Sequence, residues 1–121
     1  MRNILLVDDN KYLLDALILT IRDCAGDCAI LTAKNGREAA DILDRNFVDL
    51  VLTDIEMPVM NGFQLIEHKN RTHPAVPLLA MTSDASPMVV DRLRSLGINT
   101  CIEKPFGYQE VMNTILGSLA Y

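Results

Sequence analysis

Asp49 to Gly62 run DLVLTDIEMPVMNG, a short β-prone apolar segment, Leu50 to Thr53, that stops at an acid and turns through Pro58 and Asn61 toward Gly62. Four residues that are apolar on both faces suit a strand covered by helices on both sides, the habit of parallel sheets. The same kind of run recurs at Asn3 to Val7, Ala29 to Ala33, Pro77 to Thr82 and Thr100 to Glu103. Between the runs lie segments with apolar residues at helical spacing. Lys11 to Cys24 places Leu14, Leu17, Ile18 and Ile21 on one face, and Arg37 to Arg45 places Ala39, Ile42 and Leu43 together. Gly62 to Arg71, Pro87 to Leu96 and Tyr108 to Leu119 complete the series, the last with Val111, Met112, Ile115 and Leu119 as its stripe. Ser86-Pro87 reads as a helix start, Gly97 as a left-handed C-cap, and Asn35-Gly36 as a turn between the second strand and its helix. Strand and helix alternate five times with no composition shift, repeat or low-complexity tract between them. The expectation is one α/β domain over residues 1–121, with parallel strands joined by right-handed crossovers.

Composition narrows the function classes. Of 121 residues half are hydrophobic, which excludes disorder, and 16 acidic against 11 basic side chains give a net charge of −5. That balance favours cations or basic partners and speaks against a nucleic-acid surface in this domain. The longest apolar stretches, Leu13 to Ile21 and Ala75 to Met81, are interrupted by Asp15 and Pro77 and fall short of a bilayer span, so no membrane association is expected. Met1-Arg2-Asn3 runs directly into the first strand, which is no secretory signal and implies a cytoplasmic address. The three cysteines, Cys24, Cys28 and Cys101, are an odd set without a Cys-x-x-C pair, so they read as reduced thiols; Cys24 and Cys28 are expected in the core. His68 and His73, on or just after the third helix, are expected at the surface without an acid partner. The methionines Met57, Met60, Met81, Met88 and Met112 read as loop and core fillers.

In open α/β sheets ligands sit beyond the carboxyl ends of the strands. Asp8 and Asp9 follow the first strand there, and Asp54 follows the third. If those strands are neighbours, ionised pairs about 5 Å apart repel by roughly 3 kcal/mol each at an effective dielectric near 20. Either protonation or a divalent cation must offset this, and carboxylates with carbonyl oxygens suit Mg²⁺. Thr82 ends the fourth strand and Lys104-Pro105 follows the fifth. A carboxylate nucleophile, a cation, a hydroxyl and an ammonium together cover the charge of a transferring phosphoryl group.

These residues, in this order and spacing, closely resemble the response-regulator receiver domain of two-component signalling, the CheY-like family. The resemblance rests on Leu6-Val7-Asp8-Asp9-Asn10, on Thr32 to Ala39, on Asp49 to Gly62, on Met81-Thr82-Ser83 and on Lys104-Pro105-Phe106. It implies a flavodoxin-like (βα)5 fold, a doubly wound five-stranded parallel sheet of order 2-1-3-4-5. It further implies that Asp54 is the phosphoacceptor, taking a phosphoryl group from the phosphohistidine of a sensor kinase or histidine phosphotransfer protein, or from an acyl phosphate. Asp8, Asp9, Asp54 and the backbone carbonyl of Glu56 would hold Mg²⁺, Thr82 would be the switch hydroxyl, and Lys104 would pair with the phosphoryl group. Pro105 would follow a cis peptide bond that aims Lys104 into the pocket.

One position departs from the family: three residues before Lys104, where an aromatic switch residue is usual, stands Cys101. Glu56 and Asp84 should flank the pocket mouth and tune the lifetime of the aspartyl phosphate. Readout to a downstream protein is expected on the face of the fourth helix, fifth strand and fifth helix, drawing on Arg92, Asn99, Cys101, Glu103, Tyr108 and Met112. The chain ends just after the fifth helix, so no DNA-binding or enzymatic output domain is expected within it. The rival readings are weaker. Asp8-Asp9-Asn10 would repel the phosphate of a flavin nucleotide, and a phosphatase would need Glu56 as general acid where its side chain is expected to turn outward. A phosphorylation-independent binding module would not need Asp9, Asp54, Thr82 and Lys104 together.

Overall fold

Strand pairing follows from the two-sided apolar character of the runs. In the computed structural model, which describes residues 2–24 and 26–119, five parallel strands lie in the order β2-β1-β3-β4-β5. They are β1 (Arg2–Val7), β2 (Cys28–Ala33), β3 (Leu50–Asp54), β4 (Leu78–Thr82) and β5 (Cys101–Glu103), alternating with α1 (Lys11–Cys24), α2 (Gly36–Arg45), α3 (Gly62–Thr72), α4 (Pro87–Ser95) and α5 (Tyr108–Leu119). The side chain of Cys24, expected in the core, falls outside the described residues.

Successive strand residues point to opposite faces, so each central strand serves two cores. Leu5, Val51, Leu78 and Ala80 pack with Ala39 and Leu43 of α2, Phe63, Leu65 and Ile66 of α3, and Leu93 of α4. Ile4, Leu6, Leu50, Leu52, Leu79 and Met81 pack with Leu14, Leu17 and Ile21 of α1 and with Val111, Met112, Ile115 and Leu119 of α5. Burying a Leu or Ile side chain contributes about 1.5–3 kcal/mol, which makes these strands the rigid base of the molecule.

Register places the chemistry at one edge. Val7 pairs with Thr53, Asp54 with Met81 and Thr82 with Glu103. Asp8 therefore lies level with Asp54, and Thr82 and Lys104 emerge on the strands beyond.

Several local expectations are refined. Asn35 is the N-cap of α2, its side chain accepting from the Glu38 N–H, and Gly36 is the first helical residue. Glycine is required at that place because a Cβ would meet the Met60 carbonyl oxygen at 2.5 Å. Ser86 sits at the N-cap of α4 without a side-chain cap bond; Asp84 Oδ1 instead accepts from the Ser86 N–H at 3.1 Å. Gly97 takes the expected left-handed conformation with φ 84°. Met88 is exposed, and Cys28 is only partly buried at the start of β2.

Candidate phosphoryl-acceptor site

The loop after β3 is folded tightly to bring α3 against the strand end. The Gly62 N–H donates to the Ile55 carbonyl at 2.9 Å, and a Cβ on Gly62 would lie 2.6 Å from the Asp54 carbonyl oxygen. Asn61 then starts α3 with a capping box shared with Gln64. In the same loop Val59 has φ 70°, a left-handed backbone that a β-branched residue adopts only at a cost.

Asp8, Asp9 and Asp54 converge as the register requires, each offering an oxygen within 4.8 Å of the others. Asp8 and Asp54 are buried and Asp9 is exposed, so the cluster opens to solvent on one side. Asp8 Oδ1 accepts from the Asn10 N–H at 2.9 Å. Its Oδ2 accepts from Lys104 Nζ at 2.7 Å. Lys104 Nζ is also 3.4 Å from Asp54 Oδ2, and the Lys104–Pro105 peptide is cis. Asp54 Oδ1 is buried and accepts no hydrogen bond.

Electrostatics follow from this crowding. Burial, and next the negative charge of Asp8, push the Asp54 carboxyl up to about 7, while Lys104 works in the opposite direction. Burial disfavours the Lys104 ammonium, but the hydrogen bond and charge of Asp8 outweigh it and hold the group above the ordinary lysine value. Three carboxylate oxygens within 4.8 Å of one another and a buried acceptor without a donor form the environment a hard divalent ion satisfies, and the all-oxygen donor set fits Mg²⁺.

Thr82 is committed to a different neighbour. Its Oγ1 donates to Glu56 Oε1 at 2.6 Å and accepts from the Asp84 N–H at 3.0 Å. Ser83 Oγ donates to the same Glu56 oxygen at 3.2 Å. Burial works against the Glu56 carboxylate, but the Thr82 hydrogen bond and its other donors bring it below the usual range. Glu56 is exposed, as expected of a side chain turned outward, yet two hydroxyls at the β4 end hold its carboxylate. Asp84 reaches the mouth through its backbone, while its carboxylate is spent on starting α4.

The readout face is only partly as expected. Asn99 and Glu103 are exposed, Tyr108 is 43 % exposed, and Arg92 lies over the Phe63 ring at 4.0 Å. Cys101 is half-buried against the α2–α3–α4 core, its thiol raised by burial and then by Glu56 and Glu103. Met112 is 1 % exposed and belongs to the core under α5, because it lies on that helix's sheet-facing stripe. Phe106 and Tyr108 form an edge-to-face pair with ring centroids 6.2 Å apart and line a cleft together with Lys104.

The histidines also differ from expectation. His68 and His73 are partly buried and both contact Asp44, an acid partner 24 and 29 residues away that local spacing could not reveal. Asn10 and Ser83 are the other contributors that sequence reasoning left without a role, though both stand inside the motifs that carried the resemblance.

Comparison with known proteins gives a consistent picture. A family model described as the response regulator receiver domain matches residues 4–116. A protein-glutamate methylesterase/protein-glutamine glutaminase of Treponema pallidum is 34 % identical over 106 residues, covering 86 % of this chain and 26 % of that protein. The sensor histidine kinase RcsC of Escherichia coli is 28 % identical over 112 residues, covering 93 % and 12 % respectively. The chain spans less than half the length of the first curated relatives it matches. Among solved structures, the chemotaxis response regulator CheY4 of Vibrio cholerae superposes with a TM-score of 0.88 at 26 % identity, over 98 % of both chains.

Proposed function

The chain belongs to the response regulator receiver domain family, and on that premise we propose that it is a stoichiometric phosphoacceptor that takes a phosphoryl group onto Asp54. The observation that carries this is the buried Asp54 carboxylate: one oxygen lacks a hydrogen-bond donor, and the other faces Lys104. Asp54 attacks phosphorus in line, and the bond to the donor breaks. The donor is a phosphohistidine of a sensor histidine kinase or histidine phosphotransfer protein, or an acyl phosphate. Asp8, Asp9, Asp54 and the Glu56 carbonyl would hold Mg²⁺. When bound, that ion neutralises the acidic cluster and polarises the phosphoryl oxygens.

The protein's own residues do the rest. Lys104, poised between Asp8 and Asp54, supplies a charge-assisted bond to the incoming oxygens. Thr82 leaves Glu56 and donates its hydroxyl to the phosphoryl group, pulling the end of β4 with it. Glu56 and Asp84 border the approach of water and set the lifetime of the acyl phosphate. The gain in contacts biases a two-state equilibrium, and moving it from 1:99 to 99:1 requires about 5.5 kcal/mol of differential binding. The exposed residues of α4, β5 and α5 then present the altered surface to a downstream protein. Cys101 there cannot reproduce the volume change of an aromatic switch. No nucleic acid is read by this domain, and the reaction belongs in the cytoplasm. Among the described residues no helix is long and apolar enough to cross a membrane. A phosphorylation-independent binding module is not favoured, since it leaves the clustered acids, two of them buried, without a purpose.

Intact-mass measurement after incubation with acetyl phosphate and Mg²⁺ tests the proposal. A single phosphoryl adduct, lost with a chelator and lost in Asp54→Ala, is expected. A folded, Mg²⁺-binding protein that takes no phosphoryl group from acetyl phosphate or from phosphohistidine donors would contradict it.

A further inference from the structure

Away from the acidic pocket, a second set of ligating side chains converges at the amino edge of the sheet, where α2 and α3 end. Asp44 comes from the last turn of α2, His68 from the body of α3 and His73 from its C-cap. His68 Nε2 lies 3.0 Å from Asp44 Oδ1 and His73 Nε2 lies 2.8 Å from the same oxygen. All three donor atoms fall within 4.8 Å of one another. At His73 the chain leaves the helix with φ −137° and ψ 59°, folding its ring back toward α2. The turn is tied down there by the His73 N–H on the Lys69 carbonyl at 2.7 Å and the Thr72 hydroxyl on the His68 carbonyl at 2.7 Å.

We propose that Asp44, His68 and His73 form a metal site for a divalent first-row transition ion of the zinc type, joining the ends of α2 and α3. Two imidazole nitrogens and one carboxylate oxygen are the donors such ions prefer, whereas Mg²⁺ selects oxygen alone. In a tetrahedral site with bonds of about 2.0–2.1 Å, neighbouring donors stand about 3.3 Å apart, close to the two nitrogen–oxygen spacings of 3.0 and 2.8 Å. A metal binds each neutral imidazole through an unprotonated Nε2, with the ring proton carried on Nδ1. Three protein ligands would leave a fourth position for water, and His73 also lines a neighbouring cleft of about 310 Å³ with Leu43, Phe47 and Val48. Asp44 and His73 stand at the C-terminal, negative ends of α2 and α3, which favour a cation. The side chains are 17 %, 30 % and 47 % exposed for His68, His73 and Asp44, so an ion from solution reaches them.

Calorimetric titration of the Mg²⁺-saturated protein with Zn²⁺ alone tests this. One equivalent is expected to bind, with affinity reduced at least tenfold in His73→Gln, His68→Gln and Asp44→Asn and unchanged in Asp9→Asn. Glutamine keeps a donor toward Asp44 and so preserves the helix contact. Co²⁺ substitution, which needs no variant, should give tetrahedral visible bands without thiolate charge-transfer absorption. Phosphoryl uptake at Asp54 should persist in His73→Gln. The proposal is overturned by no Zn²⁺ uptake, by uptake insensitive to His73→Gln, by uptake lost in Asp9→Asn, or by a thiolate band.

Discussion

Asp54 is buried beside Asp8, and its pH behaviour has a definite sign. Its carboxyl titrates near 7 in the folded protein against an ordinary 3.8, so the folded state holds the extra proton between those values. Metal-free protein therefore loses stability as pH rises from about 4 to about 7, by up to a few kcal/mol. Denaturant melts of wild type and Asp54→Asn without metal should diverge over that window, with the variant more stable at pH 8 and the difference shrinking toward pH 4. Saturating Mg²⁺ should close the gap. Glu56 acts in a different way, by holding the Thr82 hydroxyl at 2.6 Å. In Glu56→Ala the hydroxyl is free to meet the phosphoryl group, so acetyl phosphate should label the protein several-fold faster, as followed by stopped-flow or mass spectrometry. An unchanged rate would mean that the Glu56–Thr82 bond breaks at no kinetic cost.

Elements were the most legible level in the sequence. Strands β1, β3 and β4 are buried on both faces, so their continuous apolar runs announced themselves, and Gly, Pro and Asn marked most boundaries to within a residue or two. The acids at the ends of β1 and β3 were legible for the same reason, since register converts strand ends into neighbours. What stayed hidden depends on side-chain direction or on long-range contact. Nothing local says that Glu56 faces Thr82, that Met112 faces the sheet, or that Asp44 meets two histidines from another helix. Strain in the β3–α3 loop was equally hidden, because a positive φ at Val59 leaves no trace in composition. Val59→Asn, which suits the left-handed region better, should raise stability by about 1 kcal/mol. Gly62→Ala, by contrast, forces a Cβ onto the Asp54 carbonyl and should lower stability by roughly 2 kcal/mol or more while slowing phosphoryl uptake. Thermal and denaturant melts separate the two.

As a whole, the molecule divides its labour between the two edges of one rigid sheet. The carboxyl edge gathers three acids, a lysine and a hydroxyl from four strands, held in register by two apolar cores. The amino edge gathers two histidines and an acid from α2 and α3. On the proposed function, the exposed residues of α4, β5 and α5 are the surface through which the occupied site would be read. Cys101 stands half-buried where the family resemblance implies an aromatic switch residue, so on the proposed function movement of Thr82 would be transmitted by backbone and by the packing around Cys101. All of this rests on the identity of the acceptor, and borohydride trapping addresses it directly. Protein treated with acetyl phosphate and Mg²⁺, reduced with borohydride and digested, should carry homoserine in place of aspartate at position 54 and at no other acid. Homoserine at Asp8 or Asp9, or a stable phosphoryl group on a hydroxyl or histidine in its place, would contradict the account.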